Sequence, residues 1–333
     1  MTTPSDAALL QLVRDSRPHI ETAGPDTESW LDRLEQQHQG LRRLVEAALD
    51  DDPPTAAELG SVLWIFWWQR GHMAEGRAFL ERTQAVQGPY REMVLKGLGT
   101  IAFRQGDTDT ADRVFTERLQ IAEAGGDGAR LADACADLSR VALRRGDFGA
   151  VRKFAERGYA AATGLDPRAI RMPLHMRAAA ARMEGKLDEA RDLYLESREL
   201  NERLGNDQNV IGEDHNLGHV ALHSGDRDEA ERRFRSAREW IFNHDNAYLT
   251  PYAYLDAGVL ALHDGDLDRA CRLVSVATRI FEETDSIPDP DDRVELDSAV
   301  ATLQARLGER FDAVAGQGRA LAPDEARALA NQR

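Results

Sequence analysis

The sequence has almost nothing with which to staple itself. Its two cysteines, Cys135 and Cys271, make no CxxC motif and cannot build a disulfide framework. Both fall inside amphipathic helical patterns, so buried free thiols are expected. Prolines are few, 12 in 333 residues, in a chain rich in Ala, Leu, Arg and Glu, which points to helix. No apolar run approaches membrane-spanning length, and the N-terminal MTTPSDAALLQLVRDS lacks a signal-peptide core. A cytoplasmic location and no membrane partner are the resulting expectations. Basic charge is also short: 42 Lys and Arg stand against 58 Asp and Glu, a formal net charge of −16. No nucleic-acid partner is expected, because binding phosphates needs a basic face.

What the sequence does have is a repeat. NLGHVALHSGDRDEAERRF (Asn216 to Phe234) nearly recurs as DAGVLALHDGDLDRACRLV (Asp256 to Val274) and as KGLGTIAFRQGDTDTADRVF (Lys96 to Phe115). Turn glycines at Gly71, Gly106, Gly146, Gly185, Gly225, Gly265 and Gly308 are spaced by 35, 40, 39, 40, 40 and 43 residues. Each unit reads as an apolar-patterned helix that stops at a glycine, the residue that enters a left-handed C-cap cheaply. An aspartate often follows (Asp107, Asp147, Asp226, Asp266) and can cap the next helix. An alanine then marks close helix approach (Ala111, Ala190, Ala230, Ala270), and Phe115 and Phe234 fill the space between units. A single pair cannot bury its apolar faces alone, so stacking is required.

This is the pattern of tetratricopeptide repeats with lengthened loops. The expected fold is all-α, a right-handed superhelical solenoid of about seven helix pairs. The pairs begin near Ala56, Arg91, Leu131, Ile170, Val210, Thr250 and Arg293. The expected divisions are N-terminal helices over 1–54, repeats over 55–320, and a capping helix and tail over 321–333. The N-terminal part reads as two helical stretches, 6–22 and 27–49, ended by Asp50-Asp51-Asp52-Pro53-Pro54.

Three stretches carry a more particular likeness: WLDRLEQQHQGLRRLVEAAL (Trp30 to Leu49), LWIFWWQRGHMAEGRAFLER (Leu63 to Arg82) and LGERFDAVAGQGRALAPDEARALA (Leu307 to Ala330). Together, and in this order, they resemble the C-terminal helical-repeat region of the large signal-transduction ATPase regulators of actinobacteria. Those proteins join a DNA-binding domain, a nucleotide-binding switch and a repeat domain that acts as sensor. This sequence departs from them in having no GxxxxGK[ST] phosphate loop and no evident helix-turn-helix. The resemblance therefore implies a sensor or scaffold module without the ATPase and DNA-binding parts.

In such a solenoid the first helix of each pair lines the concave face. Setting each turn glycine at position 15 puts positions 2, 5, 6, 9, 12 and 13 in the groove. The candidate ligand-binding residues are then Trp68, Arg104, Asp137, Arg140, Arg144, His175, Met176, His215, Asn216, His219, His223, Tyr252, Asp256 and His263. Five of the nine histidines fall in these slots, where chance placement would put about one. Position 13 reads Gln69, Arg104, Arg144, Met183, His223, His263 and Arg306, a row that could clamp an anionic ligand or simply complement helix C-termini.

His215, His219 and His223 share one helix face, and a pair such as His215 and His219 could chelate a metal. Solvated groove histidines without a metal are the plainer expectation, and no metal site or cofactor is assigned. Asp137 beside His175, and Asp256 beside His215 or His219, could pair as histidine and carboxylate across adjacent repeats, orienting a base or only holding structure. Trp64 and Trp67 fall at packing positions, while Trp68 reaches the groove. Three functional readings remain open. The first is a non-catalytic module binding a peptide, protein segment or small signal molecule, with a role in regulation. The second is an enzyme or metal protein of specialised metabolism using the same groove His, Asp and Arg. The third is a pure scaffold or a homo-oligomerisation unit.

Overall fold

A computed structural model describes residues 5–22, 24 and 26–332. Among these the regular elements are eighteen α-helices and two 3-10 turns, with no strand. Helices α1 (Asp6–Ile20), α2 (Thr27–Gln36) and α3 (His38–Asp51) come first. Seven pairs follow. They are α4 (Pro53–Gln69) with α5 (Met73–Thr83), α6 (Arg91–Arg104) with α7 (Thr108–Gly125), and α8 (Gly128–Arg144) with α9 (Phe148–Ala162). Next are α10 (Arg171–Met183) with α11 (Leu187–Arg203), α12 (Asp207–His223) with α13 (Arg227–Asn243), and α14 (Thr250–His263) with α15 (Leu267–Glu283). The seventh is α16 (Pro290–Leu307) with α17 (Phe311–Arg319), and α18 (Pro323–Ala330) follows it. The helical stretch expected over 27–49 is in fact two helices. The chain leaves helical geometry at Gln37 (φ −105°, ψ 7°), and the new direction packs His38 on Phe66 and His72.

The local logic of the repeat holds in detail. Turn glycines such as Gly106 and Gly225 sit at φ 85° and 82°, where a side chain would be strained. Asp107, Asp147, Asp226 and Asp266 accept backbone N–H bonds from Thr110, Ala150, Glu229 and Arg269 at 2.9–3.2 Å, capping their helices. Ala111, Ala190, Ala230 and Ala270 are fully buried where paired helices touch. The repeat also has a ring-on-glycine joint. A Cβ added at Gly99 would overlap the buried ring of Phe115, and one at Gly218 would overlap Phe234. Gly99→Ala should therefore destabilise by about 1–3 kcal/mol, despite gaining up to about 1 kcal/mol of helix propensity. Urea denaturation followed by tryptophan fluorescence checks it; a neutral or stabilising result would mean the ring has room to move.

The chain divides into two compact units. The first runs to Ala142 and includes Phe154–Ile170; the second comprises Leu143–Lys153 and Arg171 onward. The first is built around Leu31, Leu59, Phe66, Trp67, Phe79, Leu98, Phe103 and Phe115. In the second, Ile241, Leu255, Leu273, Val276, Phe281 and Leu303 form the main core. Cys135 and Cys271 are buried free thiols. Among the described residues no helix is long and apolar enough to cross a membrane. In the second unit, α16 meets α14 and α15 and also reaches α10, three pairs earlier, while α17 packs along α15.

Candidate functional site

The second unit holds a buried cluster of charge where α10, α12, α14 and α16 meet. Helix α12 contributes His215 and His219, one turn apart, with ring centroids 4.9 Å apart. Asp256 of α14, fully buried, accepts from His215 Nδ1 at 2.9 Å and from His219 Nε2 at 3.0 Å. The expected pairing of Asp256 with one histidine is thus a pairing with both.

The other half comes from α16. Pro290 stands at its start, and Asp291, Asp292 and Glu295 lie on one face of the turns that follow. His215 Nε2 bonds Asp292 Oδ1 at 2.9 Å. Arg182 of α10 donates to Asp291 at 3.1 Å, to Glu295 at 2.9 Å and to Asn216 Oδ1 at 2.7 Å. His223 Nε2 bonds Glu295 Oε2 at 3.2 Å. Two of the histidines expected in a solvated groove are therefore enclosed, His219 at 0% exposed and His215 at 7%, while His223 stays exposed at the rim. The acidic face of α16 covers them, and buried carboxylates beside buried cations replace the missing water.

The surroundings set the protonation states. Burial pulls His215 down, but Asp256 and Asp292 overrule it and raise it well above the ordinary histidine range. Both of its ring nitrogens are held against carboxylates, an arrangement that favours the protonated ring. His219 is lowered by burial and by the nearby Arg182 charge, so it is neutral. Burial and the neighbouring Asp292 push Asp291 up to about 6. Glu295 is raised by burial, yet the His223 hydrogen bond and the adjoining cations hold it below the usual carboxylate range.

Other candidates stand apart from this cluster or at its rim. His175 pairs with Glu213 at 3.0 Å, and Ser197 donates to the same carboxylate at 2.6 Å. Tyr252 sets its ring against His215, centroids 5.6 Å apart, and donates to Asp289 at 3.3 Å. Arg144 donates to the Pro288 carbonyl at 3.2 Å, Met176 is core, and His263 is exposed beside Asp264.

In the first unit Trp68 stacks on Trp64 at 6.0 Å, with Arg104 5.7 Å from its ring and Arg140 over Phe103 at 4.9 Å. Asp137 is bound by Arg118 of α7, a permanent cation that also bonds Asp133 at 2.6 Å and faces Glu92 at 3.4 Å.

Sequence reasoning missed Arg118 because it lies on a second helix, outside the groove slots. It also missed Asp291 and Asp292. Two acids just after a helix-opening proline read as ordinary N-terminal charge, and only their spacing with Glu295 hints at a shared face. Two groups have metal-capable geometry among the described residues: Glu35, His38 and His72 at the surface of the first unit, and buried His215, His219 and Asp292.

Comparison with known proteins gives the fold. The tetratricopeptide-repeat family profile matches residues 214–236 and 251–274. No curated protein matches the sequence. The crystal structure of a Rap protein complexed with competence and sporulation factor aligns with TM-score 0.63 at 13% identity, over 99% of this chain and 100% of that one. The Rap conjugation gene regulator of plasmid pLS20, in complex with the Phr* peptide, aligns at 0.56 and 10% identity, over 92% and 98%. A tetratricopeptide repeat protein from Parabacteroides merdae aligns at 0.52 and 12%, over 84% and 99%. At such identities the likeness establishes a tetratricopeptide-like helical-repeat fold.

Proposed function

We propose that this chain is a non-catalytic interaction module that takes a peptide or protein segment bearing carboxylates on the first-helix face of its repeats. The observation that carries this is α16 itself. Its Asp291, Asp292 and Glu295 are bound by Arg182, His215 and His223, on the face where groove residues were expected. That face recognises an acidic helix through charge-assisted hydrogen bonds, and the chain's own segment serves as occupant. The two Rap structures, each solved with a peptide or factor bound, add support by analogy of fold. A sensing role, as the sequence resemblance implies, fits a module whose face is held by its own helix until a competing segment displaces it.

A tethered helix competes at an effective concentration of about millimolar, so an added peptide must be tested against a weakened tether. The test uses full-length protein carrying D291N, D292N and E295Q together, with a fluorescein-labelled peptide spanning residues 288–307. The variant should bind the peptide about 10-fold or more tighter than wild type by anisotropy, and Arg182→Met added to it should abolish binding. Equal affinity for both proteins, with helicity unchanged by circular dichroism, would sink the reading.

A further inference from the structure

We propose that His215, His219, Asp292 and Glu295 form a site for one divalent transition-metal ion of the zinc class, joining α12 to α16. This goes beyond the binding reading above and does not depend on it.

The first argument is how the imidazoles are held. Asp256 takes His215 at Nδ1 and His219 at Nε2. A carboxylate gripping the far nitrogen is the usual outer support of a metal-ligating histidine, and here one aspartate supports two. The nitrogens left are His219 Nδ1 and His215 Nε2, whose proton, given to Asp292 in the empty site, is released to solvent when an ion takes its place.

The second argument is an unsatisfied atom. His219 Nδ1 is buried with no hydrogen-bond partner, and Glu295 Oε1 lies 3.7 Å away, beyond bonding range. Because Nε2 carries the proton donated to Asp256, Nδ1 turns a lone pair toward a carboxylate. Glu295 Oε1 already accepts from Arg182, so the unmet acceptor is Nδ1, and a cation between the two satisfies it while sharing the carboxylate. Two metal–ligand bonds of about 2.0–2.2 Å at an open tetrahedral angle span that separation to within a few tenths of an ångström. Ligating atoms of His215, His219 and Asp292 also lie within 4.8 Å of one another.

The third argument is charge. Asp256, Asp291, Asp292 and Glu295 are all buried here, and the cations among them are Arg182 and His215. A dication that replaces the His215 proton adds one net positive charge and so reduces the surplus. Two imidazoles with two carboxylates suit zinc or its neighbours better than calcium or magnesium, which prefer oxygen alone, and no thiolate is present to favour copper(I). Since α16 brings half the ligands, the site assembles as that helix docks, and the ion need not enter a closed core. The surface group of Glu35, His38 and His72 has no unpartnered buried nitrogen and serves as a control.

The experiment strips full-length protein with a chelator, then titrates zinc in competition with a chromophoric chelator and weighs the product by native mass spectrometry. One tight equivalent is expected. Asp256→Asn should weaken it about 10–100-fold. H215Q/H219Q should remove it, and so should D292N/E295Q, which leaves α12 untouched should the histidine variant fail to fold. H38Q/H72Q should keep it. Cobalt(II) in wild type should give a visible ligand-field band that His219→Gln loses. No tight equivalent in wild type, its survival in D292N/E295Q, or its loss in H38Q/H72Q would each overturn the proposal.

Discussion

Replacing Arg182 by methionine should cost the second unit about 3–5 kcal/mol, the usual penalty for leaving buried charges without their partner. The guanidinium is fixed by Asp291, Glu295 and Asn216, and its side chain is 3% exposed. Methionine fills similar space but leaves two carboxylates with no permanent cation between them. The loss should be largest in α16, because α10 and α12 keep their apolar packing. Hydrogen exchange separates the outcomes: α16 amides should lose protection well before those of α12 and α14. A penalty below about 1 kcal/mol would mean that water reaches the carboxylates in place of the arginine. Adding zinc should restore part of the protection if the ion binds as proposed, since it returns positive charge to the same acids.

Arg118→Met is the corresponding experiment in the first unit, again with an expected cost of about 3–5 kcal/mol. Arg118 is 2% exposed and holds Asp133, Asp137 and Glu92 at once. Burial alone would pull it down, yet the three carboxylates raise it above its ordinary value, so it is charged at any working pH. Four of the five tryptophans, Trp30, Trp64, Trp67 and Trp68, lie in this unit, so the fluorescence transition reports on it. Asp137→Leu in the Arg118→Met background should recover part of the loss, because an apolar pair in a buried site can match an ion pair. Strict additivity of the two changes would show that they do not interact.

Most of the fold was legible because its signals are local. A glycine every forty residues, an aspartate after it and an alanine four residues on describe turns, caps and close approaches that need no knowledge of distant chain. The Gln37 break was not legible, since neither proline nor glycine marks it. The site was legible in part. Slot counting found His215, His219 and Asp256 because neighbouring repeats present them in register. Asn216 and His223 lie on that face too; Asn216 is buried, while His223 stays exposed at the rim. The helix that excludes water comes from two pairs away, and no nearest-neighbour rule predicts such a contact. Arg118 escaped for the opposite reason: it is close in sequence to its partners but on the helix that the slots leave out.

The reach of α16 back to α10 also sets an order of events as the chain folds. Partners on consecutive first helices, such as His215 and Asp256, are 41 residues apart, whereas Arg182 and Glu295 are separated by 113. Closing the longer loop costs more chain entropy and is repaid only after the intervening pairs have formed. On a chain made from its N-terminus, α10, α12 and α14 emerge and pack while the acids of α16 are still to come. Until then Arg182, His215 and His219 stand open to whatever ion or acidic segment is at hand. On this argument the docking of α16 comes after the packing of α10, α12 and α14, and what surrounds the chain in that interval bears on what the finished molecule encloses.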